Sequence, residues 1–232
     1  YLCEKKKGPV LAVDADANSN LNEVLGVEVD TTLGDVREEI AHAEMTEKSP
    51  IPKGMSKADY AEVRFEDALA EEDDYDLLVM GRTQGKGCYC FVNGLLQAQL
   101  AKYQKNYPYI VVDNEAGMEH LSRKTLREID DLLLISDCSA RSIEAVARIR
   151  DLAKEMGIRV GRTSLIVNKA PNGQLNDGIR REIERFDLNL LGVVPMDEMI
   201  FEYDCNRRPL VELPEDSKAR IAVKDIFEKL NI

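Results

Sequence analysis

No apolar run in this sequence approaches the roughly 20 residues that a helix needs to cross a bilayer, so no membrane span is expected. The opening Tyr1-Leu-Cys-Glu-Lys-Lys-Lys-Gly8 has basic residues with no apolar stretch behind them, and it does not read as a secretory signal. An excess of basic charge is also missing. The net charge is −12, which argues against a free-standing nucleic-acid binder, because such proteins meet phosphates with a basic patch. Cysteine occurs five times, at Cys3, Cys88, Cys90, Cys138 and Cys205. An odd number at these spacings is no secreted disulfide framework and favours a reducing, cytoplasmic home. Histidine occurs only as His42, read as a solvated residue on or beside a helix, and His120, read as a surface residue. There is no internal repeat, low-complexity tract or interdomain linker.

What remains is a globular composition, 44 % apolar and 32 % charged over 232 residues. Short apolar runs recur at Val10–Asp16, Asp76–Met80, Tyr109–Asp113, Leu132–Ile135, Leu165–Asn168 and Leu190–Pro195. Their continuous apolar character suits strands buried on both faces of a parallel sheet. Helical patterns alternate with them. Thr32 opens a capped helix with Leu33, Val36 and Ile40 on one face. Further helices are expected over Lys57–Leu69, Val92–Asn106, Ser139–Met156 (closed by Gly157), Gln174–Phe186 and 215–230. The segment Met45–Lys57, with two prolines and a glycine, reads as an excursion loop. This alternation predicts one doubly wound α/β domain over residues 1–232, its sheet mainly parallel and helices on both faces.

Ligands of such sheets bind at the C-terminal strand ends. Asp14, Asp16, Asp113 and Asn168 all fall there. A single aspartate leaving a strand is most simply a turn former or helix cap. Two strands ending this way suggest oxygen ligands for a hard cation beside nucleotide phosphates.

The stretch Gly85-Lys-Gly-Cys-Tyr-Cys-Phe-Val-Asn-Gly94 sits after the second of these strands. Cys88 and Cys90, one residue apart in a glycine-rich turn ahead of a helical pattern, suggest thiolate metal ligation. A tetrahedral Zn²⁺ or square-planar Ni²⁺ takes four donors, and this turn supplies two. A two-fold homodimer meeting at the turn would supply four. A redox pair and plain buried thiols are the competing readings.

Val13-Asp-Ala-Asp-Ala-Asn-Ser-Asn-Leu21 resembles the switch I segment of the MinD/ParA-type P-loop ATPases. Tyr109-Ile-Val-Val-Asp-Asn-Glu-Ala-Gly117 resembles their switch II, and Ile166-Val-Asn-Lys-Ala170 their adenine-recognising strand end. Within that group the Gly-Cys-Tyr-Cys turn most resembles the CooC family, nickel-associated ATPases that mature carbon monoxide dehydrogenase. The likeness runs from about Val10 to Pro195. It implies an ATPase with ATP/ADP and Mg²⁺ as ligands, Ni²⁺ or Zn²⁺ at a dimer seam, and carbon monoxide dehydrogenase as client, with no nucleic-acid or membrane partner. It also implies roles: Asp14 holds Mg²⁺ through water, Asp16 positions the hydrolytic water, Asp113 is the acidic residue of switch II, and Gly117 senses the γ-phosphate. Asn168 would face adenine, with the Pro195–Asp197 loop beside it.

One departure is plain. No G-x-x-x-x-G-K-[ST] occurs in these residues, so the amides and lysine that cradle phosphates are lacking here and ATPase activity is expected of the intact protein. The resemblance implies a strand, a phosphate loop and a helix ahead of Val10, with Tyr1–Lys7 as the tail of that helix. Three further readings stay open: a partitioning or surface-cycling MinD/ParA-type ATPase; an iron–sulfur scaffold ATPase, although that kind usually carries C-x-x-C; and a nucleotide-free metal-binding module.

Overall fold

The run Val10–Asp14 forms strand β1, an inner strand in the computed structural model, which describes residues 1–5, 7–45, 50–82, 98, 101–114, 128–230 and 232. The chain divides into two compact units, Tyr1–Thr125 and Leu126–Ile232.

In the first unit β1 pairs in parallel with β3 (Tyr75–Val79) and β4 (Tyr109–Asp113). A short antiparallel strand, β2 (Leu69–Glu71), lies on the far side of β3, giving the order β2-β3-β1-β4. Side chains alternate across the sheet. Ala12, Leu77 and Val79 join the cluster around Val27, while Leu11, Val13 and Leu78, all buried, take the opposite parity.

Helices α1 (Leu21–Leu25), α2 (Leu33–Met45) and α3 (Lys57–Asp67) complete this unit. The cap expected at Thr32 is present as a reciprocal box. Thr32 Oγ1 accepts from the Asp35 amide at 3.2 Å, and the Asp35 carboxylate accepts from the Thr32 amide at 2.9 Å. Leu33, Val36 and Ile40 are buried, as their spacing requires. Ser56 caps α3 by accepting from the Asp59 amide at 3.1 Å. The Arg64 guanidinium of α3 donates to both Glu39 oxygens of α2, at 2.8 and 2.9 Å. That pair of bonds fixes the two helices side by side.

In the second unit β5 (Glu128–Asp137), β6 (Arg159–Ala170) and β7 (Leu190–Pro195) form a parallel sheet in sequence order. Helices α4 (Ala140–Glu155), α5 (Asp177–Arg185), α6 (Glu198–Cys205) and α7 (Lys218–Leu230) accompany it. Strand β6 feeds two cores by alternation. Leu165 and Val167 pack with Ile143, Val146, Ile179 and Ile183 of α4 and α5. Ile166 packs with Val194, Ala219 and Ile226, bringing in α7. Helices thus cover both faces, the arrangement that continuous apolar strands require. Gly157, at φ +70°, closes α4 as expected. Gly192 allows a close approach: a Cβ there would lie 2.3 Å from Ile226 Cγ1 of α7.

Several elements go beyond the sequence reading. β5 and β6 begin earlier than their apolar cores, because cross-strand ion pairs Glu128–Arg159 and Asp131–Arg162 hold their polar beginnings together. β2, α1 and α6 had no predicted counterpart. The helix expected over Val92–Asn106 lies mostly outside the described residues.

Candidate functional site

Strand alternation and parallel register bring three carboxylates to the C-terminal edge of the first sheet. Asp14 ends β1 and stands in register with Asp113, which ends β4. The pairing continues one step further, with the Ala15 amide donating to the Asp113 carbonyl at 2.8 Å. Asp14 is buried, 1 % exposed. Its carboxylate accepts from the Asp16 amide on Oδ1 and from the Asn20 and Leu21 amides on Oδ2, each at 3.0 Å. Asp14 therefore folds the Ala15–Asn20 loop back over the strand end and caps α1. Asp16 makes a tighter turn within that loop, its Oδ1 accepting from the Asn18 amide at 2.8 Å.

Asp113 feels the other two. Its carboxyl is raised above the ordinary carboxylate value by desolvation first, then by the charges of Asp14 and Asp16. A cation at this edge would relieve that repulsion, and oxygen donors suit Mg²⁺. Among the described residues no three His, Cys, Asp or Glu side chains converge closely enough to hold an ion directly. The carboxylates fit an ion held through water and substrate phosphates.

The exit of β3 is bound to the same loop. The Met80 amide donates to the Asp14 carbonyl, and the Met80 carbonyl accepts from the Gly34 amide, both at 2.8 Å. Gly81, at φ +68°, leaves no room for a side chain: a Cβ there would sit 2.3 Å from Thr32 Oγ1. Arg82 follows and donates to Asn18 Oδ1. Neither Arg82 nor this contact was foreseen, because an arginine after a strand carries no signal of its partner 64 residues back.

In the second unit Asn168 lies near the end of β6, opposite Asp137 of β5, and its Oδ1 accepts from the Lys169 amide at 2.8 Å. Pro195 pairs with Ala170. Asn168, Pro195 and Asp197 therefore share one end of this sheet. Asp197 is occupied structurally. Its Oδ1 accepts from the Met199 amide at 3.0 Å, capping α6, while Oδ2 accepts from Ser217 Oγ at 2.8 Å and the Ala219 amide at 3.0 Å, at the start of α7. A groove of about 250 Å³ is lined by Leu133, Ile135, Ile166, Val194, Val223 and others, with Asn168 its one polar lining residue. Cys88, Cys90 and Gly117 lie outside the described residues, as does His120.

The α/β fold, with its mainly parallel strands, is that of the MinD/ParA-type P-loop ATPases. The chain superposes on the MinD cell division protein of Aquifex aeolicus with a TM-score of 0.68, at 21 % identity, covering 99 % of this chain and 86 % of that one. A ParA family ATPase of Chlorobium tepidum gives 0.69 at 16 % identity, covering 99 % and 87 %. By sequence the chain belongs to the family of the uncharacterized ATP-binding protein MJ0685 of Methanocaldococcus jannaschii, with 41 % identity across 97 % of this chain and 88 % of that protein. The carbon monoxide dehydrogenase accessory protein CooC of Rhodospirillum rubrum is 29 % identical over 82 % of this chain and 74 % of its own length. No family model matches the chain.

Proposed function

We propose that this protein is an ATP-dependent metallochaperone that couples ATP binding and hydrolysis to metal binding at a Cys-x-Cys site shared across a homodimer. The observation that carries the nucleotide half is the meeting of Asp14, Asp16 and Asp113 at one strand edge. The ATP-binding relative supports it. Asp16 and Asp113 are the residues that would meet Mg²⁺ through water, in place of the Asp14 expected from the sequence, whose carboxylate is taken up by three amides and holds the Asp16 loop. Bound there, Mg²⁺ would supply charge neutralisation for the terminal phosphates. Asp16 would orient the attacking water, Asp113 would serve as the acidic residue of switch II, and Gly117, outside the described residues, would sense the γ-phosphate. Asn168 offers an amide to adenine, with Pro195 and Asp197 holding the adjoining loop.

The metal half rests on the spacing of Cys88 and Cys90 and on the likeness to CooC. A nickel enzyme such as carbon monoxide dehydrogenase is the proposed client, and Ni²⁺ or Zn²⁺ is the cargo rather than a resident cofactor. Metal content and oligomer mass of the full-length protein, with and without ATP, test the reading. One metal per dimer, lost in Cys88→Ser and Cys90→Ser, is expected. One metal per monomer, untouched by either change, overturns it.

A surface-cycling ATPase is the second reading, favoured by the likeness of the fold to MinD. Against it, α7 commits Ala219, Ile226 and Leu230 to the core, although Ile221 and Val223 of the same helix stay exposed. Cysteine variants that leave function intact would favour the second reading.

A further inference from the structure

Two strand exits of the second unit are bound to each other. Pro195, the last residue of β7, pairs with Ala170, the last of β6. The pairing runs one step further, with the Met196 amide donating to the Ala170 carbonyl at 3.0 Å. On the other side of Met196, Asp197 is held by the Met199 and Ala219 amides and the Ser217 hydroxyl. The exit of β6 is strained, with Lys169 at φ +53° and Asn172 at φ +54°. Left-handed backbone at residues other than glycine persists only where the surroundings fix it, and such positions cluster at ligand sites. On this fixed frame Met196 stays 60 % exposed.

We infer that Met196 packs against the flat face of the adenine ring and supplies much of the affinity for the base. The inference rests on the function proposed above and deepens it, giving the base a second contact beside Asn168. The two contacts divide the recognition. Asn168 Oδ1 is taken by the Lys169 amide at 2.8 Å, which leaves its Nδ2 as a donor for a ring nitrogen at the edge of the base. That bond orients the ring but leaves its faces uncovered. A thioether suits a face, because it is polarizable, adaptable and favourable against aromatic rings. The base is also the uncharged end of the nucleotide, so the protein's net charge of −12 does not oppose it there. The frame brings the two residues together. Ala170, which accepts from the Met196 amide, is two residues past Asn168. Val194, two residues before Met196, lines the same groove as Asn168.

The test uses full-length protein and measures calorimetric affinity for ATP and for inorganic tripolyphosphate, which has the phosphates but no base. Met196→Ala should weaken ATP by roughly 10-fold, the effect of losing about two buried methylene groups. Tripolyphosphate affinity and the Tm of the nucleotide-free protein should not change. Met196→Leu keeps the apolar bulk and should keep most of the ATP affinity. Asn168→Ala should also weaken ATP and spare tripolyphosphate. A base-specific loss in Asn168→Ala with none in Met196→Ala overturns this inference alone. Equal weakening of both ligands in Met196→Ala overturns it too, since the residue would then be holding the loop and not the base. If neither variant separates ATP from tripolyphosphate, the base does not bind at this sheet end, and the proposed role of Asn168 falls together with that of Met196.

Discussion

Asp14 and Asp113 stand side by side across the β1–β4 ladder, one buried and bonded to three amides, the other raised in pKa by desolvation and by its neighbours' charge. The two carboxylates have divided the work. Asp14 satisfies the backbone, and Asp113 is left carrying the electrostatic cost.

That cost is visible in the pH dependence of stability. A carboxyl whose folded pKa exceeds its unfolded one contributes most when both states are protonated, and that contribution is lost as the pH rises through the folded pKa. Asp113→Asn should therefore stabilise the nucleotide-free protein at pH 7. Because Asp113 keeps part of its surface in solvent despite this desolvation, the gain should be small, about 2 °C in Tm. It should vanish below about pH 4, where the aspartate is protonated in either state. Thermal melts of both proteins from pH 3.5 to 8 would show this, and a loss of stability at pH 7 would contradict it.

Removing Asp14 should be far more damaging. Asp14→Ala strands the amides of Asp16, Asn20 and Leu21 under a buried strand end, at a cost of about 3 kcal/mol. Asp14→Asn keeps one acceptor oxygen and should cost about half as much. Urea unfolding gives the totals. Amide exchange at Asn20 and Leu21 gives the location, and protection there that survives Asp14→Ala would show that other groups hold the loop.

Asp197 makes the opposite pH prediction. Desolvation works against its charge, but the Ala219 amide, the Ser217 hydroxyl and the Met199 amide prevail and hold its carboxyl below the usual value. The stability it lends is present above the unfolded pKa and is lost as the pH falls through the folded one. Asp197→Asn should cost about 1–2 kcal/mol at pH 7, through two weakened helix starts. It should also flatten the acid limb of the stability curve below about pH 4. An unchanged acid limb would assign that limb to other groups.

The sequence made the apolar centres of the strands legible because burial on both faces demands unbroken runs, as in Leu11–Val13 and Leu165–Val167. It did not reveal where β5 and β6 begin, since their first residues are held by partners on another strand and read as solvated in isolation. The capped start of α2 was legible because Thr32 and Asp35 are neighbours. The second duty of Asp197 was not, because Ser217 lies 20 residues away. For the candidate site, strand ends foretold which carboxylates gather at one edge. Spacing could not say that Asp14 would be spent on amides, nor that Arg82 would reach Asn18.

Gly192 and Ile226 occupy what amounts to a single parcel of space, since a methyl group on the first would fall 2.3 Å from a carbon of the second. Gly192 can therefore gain a side chain only if Ile226 turns aside or shrinks. A relative with alanine at the first must carry a slimmer residue at the second or let α7 ride higher on β7. The two sites should drift through sequence history as one character, and redesign of this sheet face has to treat them as a joint choice.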